Sequence, residues 1–406
     1  MREESVFTGS FRDESIERRN SGCLVEMPPE LRMRRANSIA GGRALFGNED
    51  APPATLSSHR QIAFWCYHAR MQKPKALFLL LAAASFAVAQ NSQSKIPPVI
   101  DIHVHAFDNL PNVGPMCPFP PQFLASDPKL ANEHQLGWAH QDCSPALEPA
   151  KDNDEYMKAV IAEWERLNVT AVVMGDPESV KNWMIAAPGR VIPGTSFDGT
   201  GPDATFVPIG ELRKSFTQDG FKVMGEIGLQ YQGISPSDPS VDAYFALAEE
   251  LDIPVGIHMG TGGGGRANIG LPKFRGSMGD PLLLEDVLAR HPGLRVWIMH
   301  AGYPMIDNLL TLLQANSHVY VDVSGLIWSY PIKEVNMYIQ RIVDAGFEDR
   351  VMFGTDQMYW PKLMATSIGV IQNADYLTPQ QKRDILYNNA ARFLRLDQKA
   401  PQQGHN

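Results

Sequence analysis

Residues 99–105 read Val99-Ile100-Asp101-Ile102-His103-Val104-His105, a β-branched apolar run that closes on two histidines two positions apart. Such residues suit a buried strand. Side chains alternate along a strand, so both imidazoles share one face, and Asp101 shares their parity one step deeper. A doubly wound open sheet announces itself by a glycine-rich turn after its first strand. This run ends in His-Val-His instead. By itself the pair equally describes two hydrogen-bonded core histidines, so its meaning depends on what the rest of the chain places beside it.

Downstream, short apolar runs alternate with amphipathic stretches. The expected strands are Val99–His105, Val169–Gly175, Val191–Ser196, Lys222–Gly228, Pro254–Met259, Arg295–His300, Val319–Ser324 and Val351–Thr355. Helices are expected at Asp154–Leu167, Ile209–Gln218, Val241–Leu251, Leu282–Arg290, Met305–Gln314 and Glu334–Ala345. Strand–helix alternation indicates parallel βαβ units. Eight of them in about 300 residues fit one closed (β/α)₈ TIM barrel of the α/β class. The segment Ala106–Lys151 after the first strand is long and rich in Pro and Asn, and is expected to lie as a lid loop over the active-site face.

The His pair is not alone. Glu226 lies in Met-Gly-Glu-Ile-Gly-Leu, His258 ends Val-Gly-Ile-His, His300 ends Trp-Ile-Met-His, and Asp356 follows Phe-Gly-Thr. Each follows a run that a barrel core would bury, so each should emerge at the C-terminal rim, where barrel active sites lie. Six ligand-type side chains at strand ends point to a divalent metal centre. His291 and His318 precede strands and belong to the opposite face. His134 and His140 fall in the long loop and read as surface residues.

The order His-x-His, Glu, His, His, Asp on strands one, four, five, six and eight resembles the amidohydrolase superfamily. The opening Val-Ile-Asp-Ile-His-Val-His and the later Phe-Gly-Thr-Asp resemble its amidohydrolase-2 group, which includes aminocarboxymuconate-semialdehyde decarboxylase. The likeness spans roughly Val99 to Leu396. It implies that His103, His105, His258 and Asp356 hold a metal, with Asp356 also taking the proton of an attacking water. Glu226 would bridge a second ion, as in TatD-like nucleases with a similar Gly-Glu-Ile-Gly-Leu. His300 would complete that second site or, with one ion, act as acid or base. Zinc is the default for these N and O donors, and manganese and iron accept the same set. The resemblance implies a metal-dependent hydrolase of a small-molecule ester, lactone or amide. A non-oxidative decarboxylase on the same scaffold is the alternative.

Other residues suggest a substrate pocket. Thr261-Gly262-Gly263-Gly264-Gly265 follows strand five and precedes Arg266, whose charge could meet a substrate anion; a flexible hinge is the plainer reading of the glycines. Trp328, Tyr330, Tyr359 and Trp360 follow strands seven and eight and could wall the pocket.

Net charge narrows the partners. The 406-residue chain carries a formal charge of −9, which disfavours nucleic acid and anionic membranes, since both call for a basic patch. A silent binding protein is opposed by the full ligand set. Self-association is compatible with the sequence.

Residues 1–70 lack periodicity and read as a disordered extension or mis-assigned start. From Met71 the pattern changes: Lys73 and Lys75, then the apolar run Ala76–Val88, then Ala87-Val88-Ala89 before Gln90. This is a signal-peptide pattern over 71–89, implying export to the periplasm or beyond, with no membrane span left after cleavage. The catalytic barrel is then expected over 96–397, followed by a disordered tail at 398–406. Export would remove Cys23 and Cys66. Cys117 and Cys143, both in the long loop, would remain as an even pair in an oxidising compartment, where a disulfide is expected.

Overall fold

The computed structural model describes residues 96–107, 109–111, 113–121, 123, 143–199, 205–263, 265–268 and 270–396. The expectations for 1–70, 71–89 and 398–406, and those for His134 and His140, lie outside these residues. Among the described residues no helix is long and apolar enough to cross a membrane.

Eight strands run in chain order around one sheet: β1 (Val99–Ala106), β2 (Val169–Gly175), β3 (Val191–Thr195), β4 (Val223–Ile227), β5 (Val255–His258), β6 (Val296–Met299), β7 (Tyr320–Asp322) and β8 (Val351–Met352). All neighbouring pairs are parallel. The last strand returns to the first. Ile102 N donates to Phe353 O at 3.1 Å, His105 N to Gln357 O at 3.1 Å and Gln357 N to His103 O at 3.3 Å. The expected TIM barrel is therefore present. The helices between strands include α1 (Asn153–Leu167), α2 (Pro177–Ala186), α3 (Ile209–Thr217), α4 (Asp242–Glu250), α5 (Glu285–Arg290) and α6 (Ile306–Ala315).

Two apolar layers follow from the strand alternation. Ile100, Ile102, Val172, Met174, Val223, Trp297, Met299 and Met352 fill the barrel interior. The other face of the strands packs on the helices. In α1, Tyr156, Val160 and Trp164 recur every fourth residue and are buried, the spacing that keeps one helix face on a sheet. Asp152 caps that helix by accepting from Glu155 N at 2.8 Å, and Asn168 ends it in the left-handed region at φ 55°, as short polar residues do at a C-cap. The sequence pattern missed α2 because only Val180 and Trp183 are buried in it, too few anchors to show a period.

The parity of β1 changes where the site begins, and a second shift lies in β4 between Met224 and Ile227, beside Glu226. The β1–β2 register shifts between Asp101 and Val104. Below the shift Ile100 and Ile102 face inward; above it Val104 and Ala106 join the outer layer, leaving His103 and His105 for the interior. A bulge of this kind re-aims every side chain beyond it. This corrects the expected shared parity of Asp101 with the histidines. Asp101 is instead a structural carboxylate that accepts from His103 N at 3.0 Å, Thr355 N at 2.9 Å and Thr355 Oγ1 at 2.5 Å, tying β1 to the chain after β8.

The described parts of the long segment after β1 lie against the C-terminal loops. Phe119 N donates to Trp328 O at 2.8 Å and Ala150 N to Tyr359 O at 3.0 Å. Met116 and Leu147 pair as a short antiparallel bridge, beside a disulfide between Cys117 and Cys143 with S–S 2.07 Å.

Candidate metal centre

Six side chains from five strand ends converge at the barrel mouth. His103 Nε2 and His105 Nε2 are 3.1 Å apart. Asp356 Oδ1 lies 3.0 Å from His105 Nε2 and 3.7 Å from His103 Nε2. Glu226 Oε2 lies 3.5 Å from the first and 3.4 Å from the second histidine. On the other side, Glu226 Oε1 lies 2.5 Å from His258 Nδ1 and 3.2 Å from His300 Nε2, with those two nitrogens 3.0 Å apart. Glu226 thus presents one oxygen to each of two histidine pairs.

This donor set fits divalent ions. Donors around a tetrahedral ion with bonds near 2.1 Å stand about 3.4 Å from one another. The first group (His103, His105, Glu226, Asp356) spans that separation, and the second (Glu226, His258, His300) is slightly tighter. Electrostatics agree. Burial disfavours a charged His103, yet Glu226, Asp322 and Asp356 outweigh it and hold its pKa well above the ordinary value. Burial also works against an ionised Glu226, but His103 and His258 hold its carboxyl well below the usual range. The carboxylates therefore require positive charge between them, which a divalent ion supplies without protonating a ligand.

Two of the six occupy strained backbone. His300 has φ 56° and Asp356 φ 54°, the left-handed region that non-glycine residues enter at a cost of order 1 kcal/mol and mostly at functional sites. Gly325 completes the close approach. A Cβ there would stand 2.8 Å from His300 Nδ1 and 3.1 Å from Asp356 Oδ2, so only glycine fits.

Five of the six residues, all but the fully buried His103, floor a cavity of about 430 Å³. Its wall is aromatic, with Phe107, Phe123, Tyr231, Tyr303, Tyr330 and Tyr359 among the lining residues. Trp328 also borders it, while donating its indole N–H to Thr355 O at 2.7 Å. Arg266 also lines the cavity, and its buried Nε has no hydrogen-bond partner among the described residues. Trp360 does not line the cavity, which corrects the sequence reading. Its indole donates to Gly114 O at 3.1 Å, and its ring packs behind Trp328 and Tyr359. It supports the wall from the core side.

His291 sits between Asp242 and Glu249, 3.2 Å from each, just before β6. His318 stands in the corresponding place before β7. Neither touches the centre.

Several site residues escaped the sequence reading. Asp198 follows β3, lines the cavity, and accepts from Gly228 N at 2.6 Å and from Ser196 Oγ. Burial raises its carboxyl to about 6. Tyr231 places its hydroxyl 3.0 Å from His258 Nε2. Asp322 and Ser324 lie behind the histidines. The strand-end rule that selected Glu226 and His258 also reaches Asp198, Asp322 and Ser324, and weighting only unmistakable ligand types passed them over.

The amidohydrolase profile of the amidohydrolase-2 group matches residues 100–396, and the chain belongs to that family. Among solved structures, an uncharacterised TIM-barrel protein from Bordetella bronchiseptica is 17% identical, with TM-score 0.52 over 73% of this chain and 98% of that one. A probable 2-pyrone-4,6-dicarboxylic acid hydrolase from Acinetobacter baumannii is 14% identical, with TM-score 0.47 over 73% and 98%. 5-Carboxyvanillate decarboxylase from Sphingomonas paucimobilis is 16% identical, with TM-score 0.43 over 58% and 82%. At such identities the likeness concerns the fold alone. No curated protein sequence matches the chain.

Proposed function

We propose that this chain is a metal-dependent hydrolase that cleaves a carboxylic ester, lactone or amide of a small molecule with water. The observation that carries this reading is the placement of Glu226, one oxygen toward His103 and His105 and the other toward His258 and His300. Such an arrangement suits two ions sharing one carboxylate, a pattern used for displacement by water. Zinc fits the donors best, and manganese or iron would use the same ones. An ion held here supplies a Lewis acid and lowers the pKa of water toward ~7.

The protein's own groups would do the rest. Burial works against an ionised Asp356, but His105, His103 and His300 hold its carboxyl below the usual range. It is therefore ionised, the form a proton acceptor needs, and its nearness to the histidine pair rather than its basicity favours it for taking a proton from water. Gly325 keeps the space beside it open. Tyr231, Tyr330, Tyr359 and Trp328 would shape the apolar part of the substrate site and exclude bulk water, with Arg266 meeting an anionic group at the opening. The Ala87-Val88-Ala89 pattern and the Cys117–Cys143 disulfide support an exported protein.

The decarboxylase reading draws on a different observation. A ring-lined cavity with an Arg266 Nε that has no partner among the described residues also suits a planar carboxylate. One experiment separates the two. Metal-loaded protein is screened on lactones, esters, amides and aromatic acids in ¹⁸O-water. The hydrolase reading expects one ¹⁸O atom in the product acid. Release of CO₂ from an aromatic acid with no label in the organic product would replace it with the decarboxylase.

A further inference from the structure

Behind the histidines, on the side away from the cavity, lie two buried groups with no part in the chemistry above. Asp322 ends β7 and Ser324 follows it, both at 0% exposure. Ser324 Oγ donates to Asp322 Oδ1 at 2.5 Å. Asp322 Oδ1 also accepts from Ser324 N and His300 N, each at 3.0 Å, and its Oδ2 accepts from the Trp297 indole at 3.0 Å. His103 Nδ1 is 2.8 Å from Ser324 Oγ. His300 Nδ1 is 2.8 Å from the Ser324 carbonyl oxygen and 3.3 Å from Ser324 Oγ.

Donor counting settles the direction of these bonds. A hydroxyl has one proton, and here it goes to the carboxylate. Toward His103 the Ser324 oxygen offers only lone pairs, so His103 Nδ1 must carry hydrogen. A carbonyl oxygen only accepts, so His300 Nδ1 must carry hydrogen too. In the neutral form that a bound ion would require of each ring, Nε2 is left with its lone pair, and Nε2 is the atom that faces Glu226, at 3.5 Å from His103 and 3.2 Å from His300. His103, His300 and Asp322 also lie close enough to resemble a third ligand group. The hydrogen bonds that fill both Asp322 oxygens make that group a brace.

We propose that Ser324 is a positioning residue that sets the tautomers of His103 and His300 together, through its hydroxyl and its carbonyl, and so readies both halves of the metal centre, with Asp322 as its anchor. One residue just after β7 thereby serves a ligand from β1 and a ligand from the end of β6. The proposal rests on the metal-centre reading. Loss of the hydroxyl leaves the His103 Nδ1–H without its partner in a fully buried place, and loss of such an orienting bond typically costs about 10–100-fold in metal affinity.

The test uses three measurements. In zinc-loaded protein with ¹⁵N-labelled histidine, long-range ring correlations are expected to show His103 and His300 both protonated at Nδ1; an Nε2-protonated ring at either position overturns the proposal, and this needs no variant. Zinc affinity by chelator competition is expected to weaken about 10–100-fold in Ser324→Ala, while the chelator-stripped variant still melts in one cooperative transition, at a lower temperature as a buried unpartnered N–H requires. A stripped variant that no longer melts cooperatively would make the role merely structural and overturn it. His103→Ala runs alongside. If that variant loses zinc and Ser324→Ala keeps wild-type affinity, the proposal fails and the metal centre stands. If neither variant changes zinc affinity, the metal centre itself is wrong and the proposal falls with it.

Discussion

Oε1 of Glu226 lies 2.5 Å from Nδ1 of His258, while the other oxygen of the same carboxylate faces His105 at 3.4 Å. One side chain from β4 therefore joins two ligand groups, and the first prediction follows from it. Reconstituted protein should hold two divalent ions per chain by elemental analysis, and Glu226→Gln should hold fewer, because an amide offers only one oxygen acceptor. Equal stoichiometry in the two proteins would show that Glu226 does not bridge.

Asp356 is both a candidate ligand and the carboxylate best placed to take a proton from water. Asp356→Asn should lower turnover by about 10²–10⁴-fold, the range lost with a general base, with far-UV circular dichroism unchanged. Retention of most of the activity would remove Asp356 from the mechanism.

Asp198 gives a pH dependence with a definite sign. Its folded pKa of about 6 lies above the ordinary value of 3.8, chiefly through burial. The native state then holds this proton more tightly than the unfolded chain, so the contribution of this group to stability is fully present below pH ~4 and is lost as pH rises through ~6. The difference corresponds to up to ~3 kcal/mol. Asp198→Asn removes that charge, and its amide oxygen can still accept from Gly228 N. With chelator present, the variant should melt above the wild type at pH 8 and level with it at pH 4. A lower melting temperature at pH 8 would contradict this.

The Cys117–Cys143 bridge closes a loop across a sequence separation of 26 residues. In the chain-entropy picture this stabilises the protein by roughly 3–4 kcal/mol, less any strain. Reduction, confirmed by thiol alkylation of the unfolded chain, should lower the melting temperature by several degrees. An unchanged melting curve after full reduction would mean the loop contributes nothing to global stability.

The chain alone determined the barrel and the order of its ligands. Alternating periodicities of two and 3.6 residues mark strands and helices locally, and parallel strands joined by helices cross over in one hand. Ligand-type residues at the ends of apolar runs could then be placed at one rim without knowing any distance. Strand ends were less legible. β7 stops at Asp322 and β8 at Met352, because apolar residues continue into the rim loops after the ladder has ended.

What only the tertiary structure decided depends on partners remote in sequence. His103 and Ser324 are 221 positions apart and meet at 2.8 Å; which nitrogen of a histidine carries hydrogen is set by such a partner, never by the residue alone. The change of parity between Asp101 and Val104 came from a bulge that strict alternation cannot anticipate. Tyr359 and Trp360 are neighbours of the same chemical type, yet one faces the cavity and the other the core. In an irregular loop no period dictates facing, so the direction of each ring followed from what stood beside it: for Trp360, the Gly114 carbonyl on the segment after β1.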